Sequence, residues 1–174
     1  MRPPALHRAG ARVAARRVAA RRVAARRVAA RRVAAVALTA ALWAWPVAAP
    51  HPIARAYLAP ATPYAAGHRG IDIRAPVGAE VRAPADGVVH FAGVVVDRPV
   101  LSIDHGGGVL SSYEPVEASL TEGDRVRRGE VIGTLLAGHG AGGSCLHFGV
   151  RIDGEYVSPL LFLGGQPRAV LLPP

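Results

Sequence analysis

The sequence of 174 residues contains a single cysteine, Cys145, and no acidic residue before Asp72. An intrachain disulfide framework is excluded, because Cys145 has no second cysteine to pair with. Residues 1–50 carry 11 arginines and no acids, whereas residues 51–174 carry ten arginines and all 12 acids. The high pI of about 11.3 therefore arises in the N-terminal stretch, and the rest of the chain has a formal net charge of −2.

This charge distribution argues against a nucleic-acid partner. Nucleic-acid-binding domains carry basic patches on the folded surface, with aromatic side chains among them. Residues 51–174 are slightly acidic and show no such patch. What remains is one domain of roughly 110–120 residues, which is large enough to bury a modest core.

The N-terminal stretch is predicted to be a leader. Arg-Arg-Val-Ala-Ala repeats in tandem up to Ala35, and an apolar run over residues 36–45 precedes Pro46. Together with the small-residue site Ala54-Arg55-Ala56, these features are typical of an export signal, so residues 1–56 are assigned to it. An uncleaved anchor is the alternative, because the run approaches the length of a bilayer span. The membrane would be contacted only through this anchor.

From about Tyr57 the chain consists of short β-type runs separated by glycine and proline, with no convincing helix. Turn signals at Asp86-Gly87 and Asp153-Gly154 lead into strands. The predicted strands follow Gly87 and cover residues 100–104, 109–113, 126–136 (two strands), 146–152 and 155–157. We expect an all-β fold, a compact antiparallel sandwich or barrel over residues 57–165, with a C-terminal tail at 166–174.

His68, Asp72 and His147 have the composition of a zinc site with one open coordination position. On an extended strand His68 and Asp72 share one face, and Gly70 between them leaves room. His147 adds a second imidazole from a distant segment. Two nitrogens and one carboxylate oxygen, with water as fourth ligand, are the donor set of hydrolytic zinc sites. The alternative without metal is a hydrogen-bonded His68–Asp72 pair and a core histidine at 147.

Two segments, residues 81–89 and 123–133, resemble the limbs of a duplicated hybrid motif. Biotinyl and lipoyl carrier domains share this motif but need a lysine to modify. The sequence contains no lysine, which excludes a carrier function. Sugar-phosphotransfer domains with the motif work through a phosphohistidine inside the cytoplasm, which conflicts with the predicted export signal.

Five segments occur in the order seen in lysostaphin-like zinc endopeptidases: residues 67–72, 83–89, 103–106, 123–129 and 146–149. The chain resembles that family over roughly residues 57–164. The resemblance implies the duplicated hybrid motif fold and a zinc ion held by His68, Asp72 and His147. It also implies hydrolysis of peptide crosslinks in peptidoglycan, and a secreted or cell-envelope protein of a bacterium.

The sequence departs from this family at two histidines, one in a Tyr-x-His segment and one in His-x-His. Their positions are occupied by Pro115 and Cys145. General acid–base help is worth roughly 10²- to 10⁴-fold and an oxyanion donor roughly 10²- to 10³-fold, so losing both is expected to be severe. Glu114 is expected to point away from the metal face. His139, in a glycine-rich loop, is the candidate substitute.

The remaining histidines are not expected to be catalytic. His105 resembles a family position near the active-site sheet, and His51 and His90 are predicted to be surface residues. Cys145 is interpreted as a small buried apolar residue, as a fourth zinc ligand that closes the site, or, in the remaining case, as a partial replacement for the lost histidine or a redox-sensitive thiol.

Two functions follow. The first is a secreted zinc metalloendopeptidase acting on peptidoglycan crosslinks, with Tyr113 near the substrate. The second is a zinc-binding pseudopeptidase that binds cell-wall peptides, or positions or activates a wall hydrolase. Pro115 and Cys145 favour weak or absent hydrolysis by this chain alone.

Overall fold

The computed structural model describes residues 43–62, 65–140 and 144–163. Eleven strands and one short 3₁₀-helix are formed in these ranges. They are β1 Ile53–Arg55, β2 Gly70–Arg74, β3 Glu80–Arg82, β4 Gly87–Val95, β5 Arg98–Asp104, β6 Val109–Glu114, β7 Val116–Ala118, β8 Arg125–Val126, β9 Val131–Leu135, β10 Cys145–Ile152, β11 Glu155–Val157 and the 3₁₀-helix Pro159–Leu161.

The strands form two antiparallel sheets. The larger sheet has the order β1-β2-β10-β6-β5-β4-β8, with β11 paired to one end of β10. The smaller sheet has the order β3-β9-β7. All pairings in both sheets are antiparallel. The predicted all-β antiparallel fold is therefore confirmed.

Alternation along the central strands separates a core face from an outer face. Successive side chains of a strand point to opposite faces of the sheet. Asp72 on β2 lies opposite His147 on β10, which in turn lies opposite Glu114 on β6, so these three residues share the outer face. Their neighbours fill the core, and none is more than 1% exposed. They are Ile71, Ile73, Leu146, Phe148 and Tyr113.

Most local expectations hold. The turn at Asp86-Gly87 leads into β4, residues 109–113 return antiparallel to β5, and Asp153-Gly154 connects β10 to β11. Strands β1, β3 and β7, which have three residues each, were not separately predicted. Short strands of this kind have too few residues to show an alternating pattern.

Packing begins before the predicted domain start at Tyr57. The Trp43 ring lies 4.5 Å from the Phe162 ring and 4.6 Å from the His105 ring, measured between centroids. Val47 is 4% exposed, and β1 pairs with β2. The candidate cleavage site at residues 54–56 therefore overlaps a paired strand.

The repeat region and most of the apolar run, within residues 1–42, and the C-terminal tail at 166–174 lie outside the described residues. Within the described ranges, no helix is both long and apolar enough to pass through a membrane.

Candidate metal centre

Two neighbouring strands and the segment before one of them bring the predicted ligands together. His68 immediately precedes β2 and forms an isolated bridge with Leu58. Its Nε2 lies 2.9 Å from Asp72 Oδ1 and 3.1 Å from His147 Nδ1, and His147 Nδ1 lies 2.8 Å from the same carboxylate oxygen. Three ligand atoms from positions up to 79 residues apart thus meet at one point.

Gly70 makes room for this arrangement, as the sequence predicts. A Cβ atom at this position would lie 2.7 Å from His147 Nε2 and 2.4 Å from the carbonyl oxygen of Phe148. The second contact is with backbone, which cannot move aside without breaking the pairing of β2 and β10. Any side chain at position 70 would therefore displace either the His147 ring or the strand.

The hydrogen bonds of His68 test whether the site suits a metal. His68 Nδ1 lies 2.8 Å from the carbonyl oxygen of Ala56, which can only accept a hydrogen bond, so Nδ1 carries the proton. In the neutral ring Nε2 then presents a lone pair to Asp72 Oδ1, which also has only lone pairs to offer. Such a contact is stable only with a cation or an additional proton between the atoms. The donor set fits zinc, and the Ala56 carbonyl provides the outer hydrogen bond that orients metal-binding histidines.

A fourth side chain completes the cluster. His139 Nε2 lies 3.0 Å from Asp72 Oδ1, and its ring centroid lies 5.2 Å from that of His147. The ligand atoms of His68, Asp72, His139 and His147 all lie within 4.8 Å of one another. The loop histidine considered as a substitute is thus brought to the site.

The expectation that Glu114 points away from this face is wrong. Glu114 lies directly opposite His147 in the sheet, and Tyr113 lies opposite the core residue Phe148. Glu114 Oε1 is 3.5 Å from His139 Nδ1 and 3.4 Å from an Arg98 guanidinium nitrogen. Residue 114 points to the same face as His147 because of the register between β6 and β10. The sequence alone does not reveal this register.

Tyr113 is correspondingly on the core face. Its side chain is fully buried, so the structure does not place it at a substrate surface. Its hydroxyl lies 2.8 Å from Ser111 Oγ, which lies 2.8 Å from His105 Nε2, and His105 Nδ1 donates to the Asp86 carbonyl at 2.8 Å. These residues form a polar chain that runs from the buried Tyr113 and Ser111 through the half-buried His105 to the exposed Asp86, and the chain takes no part in the cluster.

The two departures from the family pattern lie beside the site. Pro115 is buried between β6 and β7, and its carbonyl accepts a hydrogen bond from the Leu136 N–H at 3.0 Å. Cys145 is 1% exposed and packs under Gly140, where an added Cβ would lie 2.8 Å from its sulfur. Burial raises the pKa of the Cys145 thiol, and the Asp72 charge raises it further. Cys145 is not among the clustered ligand atoms of the described residues.

Opposing effects set the electrostatics of the cluster. Burial by itself would raise the pKa of Asp72, but a hydrogen bond from His147 and the neighbouring His139 and His68 outweigh it, and the pKa is lowered. Burial lowers the pKa of His147, although the charges of Asp72 and Glu114 oppose this. Without metal, Asp72 is therefore the anionic centre of the cluster.

Sequence reasoning missed two contributors, the Ala56 carbonyl and Arg98. The first lies in the predicted leader and leaves no signal in the sequence, because any residue supplies a carbonyl. Arg98 opens β5 after the exposed Asp97 and would be taken for a surface charge. Of the other histidines, His90 is exposed as predicted, whereas His51 stacks on Trp45 with ring centroids 4.3 Å apart.

The chain is similar in sequence to several known proteins. An uncharacterised protein of Mycobacterium tuberculosis is 38% identical over 129 residues, which cover 71% of this chain and 52% of the relative. The DD-carboxypeptidase/endopeptidase Mpg of Neisseria meningitidis is 39% identical over 94 residues, covering 53% of this chain and 22% of Mpg. The murein hydrolase activator NlpD of Salmonella typhimurium is 34% identical over 100 residues, which cover 56% of this chain and 26% of NlpD. The chain thus spans about half, or less, of the length of these relatives.

Solved structures share the fold. A peptidase M23 of Pseudomonas aeruginosa superposes with a TM-score of 0.60 at 27% identity, over 73% of this chain and 52% of that one. A zinc-containing peptidase of Vibrio cholerae gives 0.53 at 27% identity, over 65% and 37%. The model of peptidase family M23 matches residues 66–159, which include His68, Asp72, His139 and His147. Because this match covers more than half of the sequence, the chain belongs to peptidase family M23.

Proposed function

We propose that this protein is a zinc-binding envelope protein that hydrolyses peptide crosslinks in bacterial peptidoglycan. The observation that carries the proposal is the meeting of His68 Nε2, Asp72 Oδ1 and His147 Nδ1 at 2.8–3.1 Å, with a His68 tautomer that directs a lone pair inward. The similarity to Mpg, a DD-carboxypeptidase/endopeptidase, and to a zinc-containing peptidase supports it.

The residues of the cluster have separable tasks in this proposal. His68, Asp72 and His147 hold the metal. Gly70 leaves space for the His147 ring, and the Ala56 carbonyl holds the His68 ring in place. When bound, zinc supplies Lewis-acid chemistry: it polarises the scissile carbonyl and acidifies the attacking water. Glu114 is the carboxylate beside the cluster that can take up and release a proton. Arg98 holds that carboxylate in position.

A catalytically inactive zinc-binding protein is the second candidate. Pro115 and the buried Cys145 supply neither of the two histidines that the family resemblance implies, which favours this alternative. Such a protein would bind wall peptides, or would regulate a wall hydrolase, as the name of the relative NlpD suggests for that protein.

The deciding experiment uses the full chain loaded with zinc and incubated with purified peptidoglycan. Metal content is measured by elemental mass spectrometry, and released peptides by mass spectrometry. We expect one zinc per chain and release of peptide fragments by wild type and by His90→Ala, a matched histidine change outside the cluster. His68→Ala should lose both zinc and release.

Two results would change the conclusion. One zinc per chain without release above the His68→Ala background, together with zinc-dependent sedimentation on peptidoglycan, would establish the inactive alternative. Absence of bound zinc in wild type, with His68→Ala as stable as wild type in added zinc, would exclude both candidates.

A further inference from the structure

The side chain of His139 points inward, although the residue lies in an exposed loop. Its neighbours Ala137, Gly138 and Gly140 are exposed, yet the His139 side chain is only 14% exposed. Gly138 and Gly140 have φ angles of 118° and 77°, a region that favours glycine. This pair of glycines turns the backbone so that the imidazole between them points into the cluster.

The position of His139 Nε2 matches that of a ligand. Its distance of 3.0 Å from Asp72 Oδ1 equals, within 0.2 Å, the distances from that oxygen to the His68 and His147 nitrogens. Four ligands at zinc–nitrogen distances of about 2.0–2.1 Å in a tetrahedron are separated from one another by roughly 3.3 Å. The three nitrogens thus lie at similar distances from Asp72 Oδ1, slightly inside the tetrahedral ligand separation, and all four ligand atoms lie within 4.8 Å of one another.

The second nitrogen of His139 supports the same assignment. His139 Nδ1 faces Glu114 Oε1 at 3.5 Å, and Arg98 holds this oxygen from the other side at 3.4 Å. At 3.5 Å this contact is an ion pair rather than a hydrogen bond, and the carboxylate beside Nδ1 favours a proton on that nitrogen and leaves Nε2 free to bind a metal. His68 shows the same division, with the Ala56 carbonyl in the place of Glu114.

Cys145 provides the space for this arrangement. Gly140, next to His139, lies so close to Cys145 that an added Cβ would be 2.8 Å from the sulfur and 3.0 Å from the cysteine Cβ. A histidine ring at position 145 would extend into the volume that Gly140 occupies. The small residue at 145 and the inward histidine at 139 are thus sterically linked.

We infer that His139 is a fourth protein ligand of the metal, which closes a site that would otherwise keep an open position. The inference rests on the proposed binding of zinc by His68, Asp72 and His147. A site with four protein ligands has no position for water or substrate. Hydrolysis by this chain then requires His139 to leave the metal, and the closed form is the resting state.

The test uses the full chain and two metals, with three variants. Zinc affinity is measured by competition with a chromophoric chelator, and the cobalt-substituted protein is titrated with azide while its visible absorption is recorded. His139→Ala should bind zinc more weakly than wild type, and Glu114→Ala roughly 10- to 100-fold more weakly, as expected when an outer partner of a ligand is removed. His90→Ala is the matched control and should equal wild type.

The azide response distinguishes a His139 that binds the metal from a His139 that lies beside the metal without binding it. We expect the wild-type cobalt spectrum to be insensitive to azide and the His139→Ala spectrum to change, because an exogenous anion enters the vacated position. Equal zinc affinity and equal azide response in wild type and His139→Ala would overturn the inference and leave zinc binding by the other three residues intact. If His139→Ala does not fold, the zinc affinity of Glu114→Ala tests the inference, and an affinity equal to that of wild type would overturn it. Failure of wild type to bind either metal would instead refute the proposed function.

Discussion

At the scale of single residues, Gly70 is the position where the site tolerates least change. A Gly70→Ala side chain would meet the carbonyl of Phe148 at 2.4 Å and the His147 ring at 2.7 Å. Overpacking of this kind costs about 1–3 kcal/mol, and here it also displaces the His147 ring, a proposed ligand of the metal. We expect reduced zinc content by elemental mass spectrometry and a lower free energy of unfolding by urea denaturation. The exposed Val77→Ala should change neither, and full zinc content in Gly70→Ala would contradict the prediction.

His105 gives the fold a pH dependence that is separate from the metal. Burial lowers its pKa from the ordinary value of 6.5, although the Asp86 carbonyl and the Asp104 charge oppose this. The unfolded chain therefore takes up a proton near pH 6.5 that the folded chain does not, and stability falls as the pH drops below that value. Protonation of His105 Nε2 would also reverse the hydrogen bond from Ser111 and disturb the buried Tyr113 hydroxyl.

The corresponding measurement is urea denaturation between pH 7.5 and 5.5 in the presence of a chelator. With metal removed, the cluster histidines contribute equally to wild type and to His105→Gln, so the difference isolates His105. We expect wild type to lose more stability over this range than His105→Gln. If the free energy of unfolding changed equally with pH in the two proteins, His105 would be protonated as easily in the folded as in the unfolded chain.

At the scale of elements, the strands could be predicted where their pattern is local, and the site only in part. Alternation and turn residues identified β4, β5, β6 and β10, and the spacing of His68 and Asp72 indicated that the two side chains meet on one face. The outward direction of Glu114 depends on the register of β6 against β10. The inward direction of His139 depends on the return of a loop to a distant strand. Neither property is encoded in neighbouring residues, so both required the fold.

The turn that carries His139 allows a prediction about Cys145. Cys145→His restores the larger residue that the family resemblance implies at this position, but it should push Gly140 outward and remove His139 from the cluster. We expect the cobalt-loaded Cys145→His protein to respond to azide, as His139→Ala does. Cys145→Ala keeps the space and should behave as wild type. An azide-insensitive Cys145→His protein would show that the turn accommodates both side chains.

At the scale of the whole molecule, the described fold includes residues that the sequence assigned to the leader. The Trp43 ring touches the rings of His105 and Phe162, and the Ala56 carbonyl orients His68. The sequence assigns the apolar run around Trp43 to an export signal. By composition alone, such a run cannot be distinguished from a segment that packs in a folded core. Cleavage at Ala54-Arg55-Ala56 would remove β1 and both of these contributions.

Two shortened proteins test the importance of this segment. A protein that begins at Tyr57 should be less stable than one that begins at Ala40, because it loses the Trp43 ring contacts, the buried Val47, the pairing of β1 with β2 and the hydrogen bond between His68 and the Ala56 carbonyl. One aromatic contact and this hydrogen bond alone account for about 1–3 kcal/mol, and for a domain of this size each kcal/mol lowers the melting temperature by roughly 4 °C. We also expect that the protein is exported and that its mature N terminus, identified by peptide mass spectrometry, lies before Trp43. Equal melting temperatures would show that the segment is dispensable.

The sole thiol of the chain lies beneath Gly140 and is 1% exposed. Among the described residues the turn bearing His139 covers Cys145, so we expect a thiol reagent to react faster when this turn lifts away from the sheet. The labelling rate of Cys145 therefore reports how often the site opens. No probe has to be introduced for this measurement. The same rate, followed as wall peptides are added, would show which of them opens it.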